Sequence, residues 1–403
     1  MTGGLFADGA VPLELLRRRA FNLRWATLPA DVIPLTAADP DFAVAPAVRE
    51  ALARHARDGV FSYAPPEGLP EFRGACARFC RERRGCPADP ERILAVDGAA
   101  AGLRHLCRLL LAPGEEAIIF DPVDFLFQTA VEAAGGRVRR LPVDPLSGVL
   151  GLERLEELVS PATRLLAVCN PLNPVGRVLG RAELQALAAF AERHDLQILS
   201  DEVWSDIVFP PQRFLSLAAL DPAVAARTWT VHGFSKSHGL AGLRVAYVLC
   251  PDAAACQRLL QASLAPTTMA GVASLSQLAA VAALEEADDW LAAWLEHLRR
   301  RRDQAVAALA AMPGVALSPP EGTYTLFPRV DHHGLDGEGL ARWLLDHQRL
   351  AVVPGLARWF GPGAAGHLRL VFGTSDAILA EGLVRLRRGL EMLAGGTPVC
   401  RSL

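Results

Sequence analysis

Thr228-Trp229-Thr230-Val231-His232-Gly233-Phe234-Ser235-Lys236-Ser237-His238-Gly239-Leu240-Ala241-Gly242-Leu243-Arg244 decides how this chain is read. Its apolar, β-branched start reads as a strand, and the small residues after it read as a turn. Lys236 lies in that turn and is the only lysine of the chain; every other basic residue among the 41 is an arginine. Guanidinium serves wherever a fixed cation is wanted, but it cannot be deprotonated, whereas a lysine amine can. A lone amine at a strand end therefore suggests a nucleophile aimed at a carbonyl. The bland alternative is compositional drift that left one lysine behind. The flanks argue for the first reading: Gly239 and Gly242 let a bulky ligand approach, and Arg244 can bind an anion.

The same pattern extends in both directions. Strands are expected at Arg92–Val96, Ala117–Phe120, Val138–Pro142, Leu165–Cys169, Ile198–Asp201, Thr228–Val231 and Val245–Cys250, most of them separated by helical segments such as Arg181–Arg193. Alternation of this kind predicts an α/β fold with a mainly parallel, doubly wound sheet. In such sheets ligands sit at the carboxyl ends of the strands. Beyond residue 285 the character changes to a long amphipathic helix, short strands at Val315–Leu317, Tyr324–Pro328, Leu350–Val353 and Leu368–Phe372, and further helices. The expected organisation is an N-terminal arm (1–45) belonging to a smaller α+β domain, a large domain (46–284), and the rest of the small domain (285–403).

A net charge of −3 gives no reason to expect nucleic acid. No long apolar run free of charge suggests a membrane span, and no signal peptide is apparent. The arginine run 299–302 reads as a solvated helix face. The eight cysteines (76, 80, 86, 107, 169, 250, 256, 400) form no CxxC pair or Cys/His pattern, which points to reduced thiols, a cytoplasmic setting and no metal. A metal site at Cys76 and Cys80, which share a helix face, is the minor alternative.

Polar signals cluster at strand ends. Gly98-Ala99-Ala100 open a helix with free amides and no obstructing side chains, a phosphate cradle or simply a tight turn. Asn170-Pro171-Leu172-Asn173-Pro174-Val175-Gly176 form a rigid turn whose Asn173 amide can donate to a phenolic oxygen or a carboxylate, or merely cap. Asp201 closes an apolar strand, where a carboxylate is costly unless paired; a protonated pyridine nitrogen is a fitting partner, a helix N-cap the plainer one. Arg369, within Gly366-His367-Leu368-Arg369-Leu370-Val371-Phe372, lies inside an apolar strand, and a substrate carboxylate would satisfy it.

The ordered set Asn173-Pro174-x-Gly176, Asp201-Glu202-Val203, Ser235-Lys236 with Gly242-x-Arg244, and Arg369 resembles the class I/II aminotransferase family of fold type I pyridoxal-phosphate enzymes, across roughly residues 30–390. The resemblance implies pyridoxal 5'-phosphate held by Lys236 as a Schiff base, with Lys236 later shuttling a proton. It implies Asp201 on the pyridine nitrogen and Asn173 on the ring hydroxyl. Ser235 belongs with the cofactor site, Arg244 and the Gly98-Ala99-Ala100 amides with the phosphate. Arg369, helped by backbone near Ala38, would bind the α-carboxylate of an amino acid, with Asn173 beside it. Tyr63 would reach the active site of a partner subunit, making a homodimer.

Three positions depart from the pattern. Asp124 stands where the family places an aromatic ring over the cofactor, with Phe125 one residue on. Trp204 stands near the expected ring hydroxyl in place of tyrosine or histidine, and Gly233 where serine or threonine often meets the phosphate. A second, partial resemblance, carried by Leu35-Thr36-Ala37-Ala38-Asp39-Pro40-Asp41-Phe42, Gly59-Val60-Phe61-Ser62-Tyr63 and Asp201 to Phe209, is to the cystathionine β-lyase-like branch. The expected activity is therefore amino transfer, with β-elimination at a carbon–sulfur bond, or a decarboxylative or oxidative variant, as the alternative. A fold retained only for ligand sensing is the non-enzymatic alternative, and the retained lysine argues against it.

Overall fold

The computed structural model of the chain describes residues 4–331 and 333–395. The N-terminal arm contributes the short strand β1 (Ile33–Pro34). The central sheet is built from β2 (Ile93–Val96), β3 (Glu116–Asp121), β4 (Arg137–Pro142), β5 (Thr163–Cys169), β6 (Gln197–Asp201), β7 (Thr228–Gly233) and β8 (Ala246–Leu249). Its spatial order is β2-β8-β7-β6-β5-β3-β4. Only β8 runs against its neighbours; the pairs β3–β4, β3–β5, β5–β6 and β6–β7 are parallel. All seven expected strands form, within a residue or two at their ends. Ala117, Ile118, Ile119 and Phe120 are wholly buried, as are Leu165, Leu166 and Val168. Continuous apolar runs are what a parallel sheet covered on both faces requires.

One consequence of this order fixes the site. Strands β2, β3, β5, β6 and β7 all end at the same edge of the sheet. The residues at or just beyond those ends, Gly98, Asp124, Asn173, Asp201 and Lys236, therefore gather along one rim. Cys169 pairs with Asp201, so β5 and β6 end level, while β7 runs two residues beyond Val231, the partner of Asp201.

The C-terminal part adds β9 (Val315–Ala316), β10 (Thr325–Leu326), β11 (Arg329–Val330), β12 (Leu350–Ala351), β13 (Val353–Pro354) and β14 (Leu368–Val371). The expected Leu350–Val353 strand is split, because its two halves serve different sheets. β12 pairs in parallel with β1 of the arm, while β13 pairs antiparallel with β14, which also pairs with β10. The arm is thus stitched to the C-terminal elements by backbone hydrogen bonds. A buried ion pair between Arg24 and Asp41, joined by Trp25 Nε1 at 2.7 Å from Asp41 Oδ1, holds the arm's second half in place.

The long helix Asp288–Ala310 buries Trp290, Trp294, His297 and Leu298, one face at helical spacing. Its arginine run differs from expectation. Arg299 and Arg300 are solvated, but the side chains of Arg301 and Arg302 are only 15% and 16% exposed. Arg301 pairs with Asp376, and Arg302 lies 4.7 Å over the ring of Phe209. Helical periodicity turns half of a four-residue run inward, where a long stem covers apolar surface. The seven described cysteines are free and buried, and no cluster of metal-ligating side chains occurs among the described residues; Cys400 lies outside them. No helix among the described residues is long and apolar enough to cross a membrane.

Candidate active site

A cavity of about 940 Å³ opens along the rim where the strands end. Lys236 enters it from a turn that is clamped on both flanks. The Phe234 carbonyl accepts from the backbone N–H groups of His238 and Leu240, and the buried Ser237 hydroxyl is hydrogen-bonded to His238 Nδ1 at 2.8 Å. Gly239 takes φ +71°, a conformation that a side chain would disfavour. The Lys236 amine donates to the Ala38 carbonyl at 2.9 Å and lies 5.5 Å from the centre of the Trp204 ring. Burial holds its pKa below the ordinary lysine value. An amine in that condition is the kind that can become a neutral nucleophile.

Asp201 ends β6 opposite the lysine turn, with Oδ1 accepting from Val203 N–H at 3.1 Å. Burial pushes its carboxyl up to about 7, and Glu202 behind it is likewise raised to about 7 by burial. Glu202 faces away, accepting from the Ser200 and Ser216 hydroxyls at 2.9 and 2.7 Å. Both acids bind protons more tightly folded than unfolded, so the stability each contributes is full below about pH 4 and is lost as pH rises through about 7. In cofactor-free protein, Asp201→Asn should therefore flatten the decline of unfolding free energy between about pH 5 and pH 8 by roughly 2 kcal/mol. Urea titrations at the two pH values check this, and parallel curves for parent and variant would remove Asp201 as the cause.

Asn173 is set by the turn at 170–177. The Leu172 N–H donates to the Arg177 carbonyl at 2.8 Å, and Gly176 adopts φ +79° where a Cβ would lie 2.4 Å from Pro320 Cβ. Only glycine fits there. Asn173 Nδ2 donates to Asp124 Oδ2 at 2.8 Å, and its Oδ1 accepts from Arg369 Nη1 at 3.4 Å. Arg369 also donates to the Thr36 carbonyl at 3.2 Å and lies over the Phe360 ring at 5.2 Å, while its buried Nε has no partner. Such an orphaned donor in a cavity wall fits a ligand carboxylate.

At the far end, Gly98 caps the helix Ala99–Leu110 with φ 108°. A Cβ at Gly98 would lie 2.9 Å from Nη2 of Arg244, so the missing side chain leaves that space to the guanidinium. The first amides of any helix lack intrahelical acceptors. Here they stand beside a cation and the small side chains of Ala99 and Ala100, a setting for phosphate.

These features together fit a phosphorylated pyridine aldehyde: a desolvated amine, a buried acid across from it, an amide-and-guanidinium cradle, and an unpaired guanidinium nitrogen. The residues that would hold it are Lys236, Asp201, Asn173, Arg244 and the start of the Ala99 helix. Ser235, Trp204, Asp124 and Phe125 also line the cavity. Trp204 packs edge-on against Tyr324 at 4.8 Å, and Phe125 edge-on against Trp359 at 5.3 Å. Ala38 is present through its carbonyl, which accepts from both Lys236 and Tyr324 Oη. Tyr63 is not brought in; it is 90% exposed on the surface.

Three participants carry no role in the reading of the sequence. Thr36 acts through its carbonyl, which leaves no mark in a side-chain pattern. Phe360 comes from a remote helix. Tyr324 was findable, since the chain has only three tyrosines and this one is wholly buried with its hydroxyl turned to the site.

Comparison with known proteins gives a consistent result. The family described as aminotransferase class I and II matches residues 30–386. An arginine–pyruvate transaminase (AruH) of Pseudomonas aeruginosa is 36% identical, covering 92% of each chain. An aspartate/prephenate aminotransferase of Thermus thermophilus is 32% identical, covering 89% of this chain and 91% of its own. A solved aspartate aminotransferase of Thermus thermophilus with maleate superposes with a TM-score of 0.83 at 30% identity, covering 95% of this chain and 96% of its own.

Proposed function

The chain belongs to the class I and II aminotransferase family, and from that premise we propose a reaction in which Lys236 and Arg369 divide the work on an α-amino acid. The protein is a pyridoxal-phosphate-dependent aminotransferase. Bound in the cavity, the cofactor supplies an aldehyde carbon that takes up amino groups and a protonated ring that withdraws electrons from the substrate Cα.

The residues do the rest. Arg369, whose guanidinium lines the cavity, receives the α-carboxylate, which orients the Cα–H bond. Lys236 would hold the aldehyde, and its Nζ, whose pKa burial holds low, would be suited to lifting the Cα proton. A positioned base of this sort contributes typically ~10²–10⁴ in rate. Asp201 would hold a proton on the ring nitrogen of the bound group, and that cation would offset the cost of burying its carboxylate. Arg244 and the amides of Ala99 and Ala100 hold the phosphate. The buried ring of Trp204 keeps water from that side of the exchange. The observation that carries this reading is the pairing of a desolvated Lys236 with an acid across one cavity.

The same reading includes a homodimer in which Tyr63 enters the partner's site. Its support is the exposed apolar loop Val60, Phe61 and Tyr63, at 65%, 64% and 90% exposure. A cytoplasmic setting goes with it, supported by cysteines that sit buried as free thiols. The test is incubation of holoenzyme with L-aspartate, L-arginine, L-phenylalanine or a cysteine conjugate, with no keto acid added. Conversion of the cofactor to its amino form, one keto acid per site, is the expected result. Continuous release of pyruvate and thiol with the cofactor still in its aldehyde form would overturn it in favour of elimination.

A further inference from the structure

Away from the amine and the buried acid, the cavity wall turns apolar. Leu23, Leu28, Phe125, Leu345, Val352 and Trp359 all line it. The two that keep most surface bare are Leu23, 53% exposed, and Phe125, 37% exposed. Phe125 meets Trp359 edge-on at 5.3 Å, and its backbone N–H donates to the Trp359 carbonyl at 2.9 Å. One aromatic wall thus joins the loop after β3 to the helix Ala357–Phe360.

Leu23 is held in place at a cost. Its φ of +52° lies in the left-handed region, which a leucine side chain disfavours. The Thr36 hydroxyl donates to the Leu23 carbonyl, and the Leu23 N–H donates to the Phe21 carbonyl at 2.9 Å. The carbonyl of the same Thr36 accepts from Arg369 Nη2 at 3.2 Å. A single residue therefore ties the carboxylate anchor to Leu23. Backbone conformations of this kind persist where the surroundings impose them, and they cluster around ligands. A leucine facing water gains nothing from such placement, whereas one that covers a ligand's apolar surface does.

The charges on the wall are already engaged. Glu338 and Arg358 pair at 3.1 Å, and Asp124 accepts from Asn173 Nδ2 and the Leu126 N–H. Arg342 is left, on the exposed side of the helix Gly337–Gln348, where water competes for it. The loop at Val60, Phe61 and Tyr63, which the dimer reading brings to a partner's site, adds apolar surface and no cation. Among the described residues lining the cavity, an acidic side chain would find no buried counterion and a basic one no free carboxylate.

We propose that the preferred amino donor is an α-amino acid with a large apolar side chain of about phenylalanine's size, and that Leu23 is the residue that selects it. This rests on the reading of amino transfer with Arg369 as carboxylate anchor. With the carboxylate on Arg369, the side chain lies between Leu23 and the Phe125–Trp359 wall.

The test uses holoenzyme with L-phenylalanine, L-alanine, L-aspartate or L-arginine. For each, kcat/KM is read from conversion of the cofactor to its amino form over a range of donor concentrations. Alanine shares the reacting groups and lacks the ring. Phenylalanine should exceed alanine by about 30- to 100-fold, the share of a buried aromatic side chain, and should exceed aspartate and arginine too. Leu23→Asn is the matched variant, because asparagine tolerates positive φ and offers no apolar face. In it the phenylalanine-to-alanine ratio should fall about tenfold.

A parental ratio near one, or aspartate or arginine as the best donor, overturns the inference and leaves amino transfer standing. A ratio that Leu23→Asn does not change also overturns it, because selection then lies elsewhere. Failure of all four donors to convert the cofactor defeats the amino-transfer reading itself, and the inference with it.

Discussion

Lys236→Ala leaves a protein that no longer holds the cofactor covalently and transfers amino groups about 10⁴-fold more slowly or worse. The amine is the only group of its kind in the chain, so no neighbour can substitute. The fold should survive, because the change removes a desolvated amine that makes one hydrogen bond, to the Ala38 carbonyl. Mass measurement after borohydride treatment reads the covalent link directly: the parent gains the reduced cofactor and the variant does not. An adduct that persists in the variant would place the nucleophile elsewhere and end the assignment of Lys236.

The second large effect belongs to Asp201. If Asp201 faces the ring nitrogen as proposed, Asp201→Ala would leave that nitrogen with no anion to hold its proton. Removing one partner of a buried ion pair typically costs about 3–5 kcal/mol, so a fall of roughly 10²–10³ in kcat is expected, with weaker retention of the cofactor. Asp201→Asn should fare little better, because an amide cannot stabilise the protonated ring by charge. The same two substitutions relieve the strain of burying a carboxyl in the cofactor-free chain. Activity and stability of the cofactor-free protein should therefore move in opposite directions. Steady-state rates alongside cofactor-dissociation measurements check this; parental kcat in Asp201→Ala would show that the carboxyl does not face the ring.

The parallel sheet was legible because its strands are uninterrupted apolar runs, and a strand buried on both faces has no other way to be written. The rim was legible too, since Asn173, Asp201 and Lys236 each break the pattern where a run ends. The arm's pairing with β12 was not, because β1 and β12 are two residues each and strands that short have no period. The arginine run misled for a related reason: charge alone says nothing of which face a helix turns inward, and Phe209, which receives Arg302, is ninety-odd residues away in sequence. Within the site, side chains that speak through their own chemistry could be picked out. Thr36 and Ala38, which contribute carbonyls, could not, and neither could the mutual orientation of Asp124, Asn173 and Arg369, which exists only once three distant segments meet.

The single reversed strand has an effect on how the grip is assembled. Because β8 runs backward, its entrance, and not its exit, faces the ligand rim, and the short connection from β7 therefore returns to the rim it has just left. That loop carries Lys236 near its start and Arg244 near its close. The reactive amine and the guanidinium over Gly98 are thus two points on one rigid staple, threaded in a single pass. A shift in the staple displaces bond-maker and tether by the same motion, so reactivity and cofactor affinity are geared together and neither can drift alone.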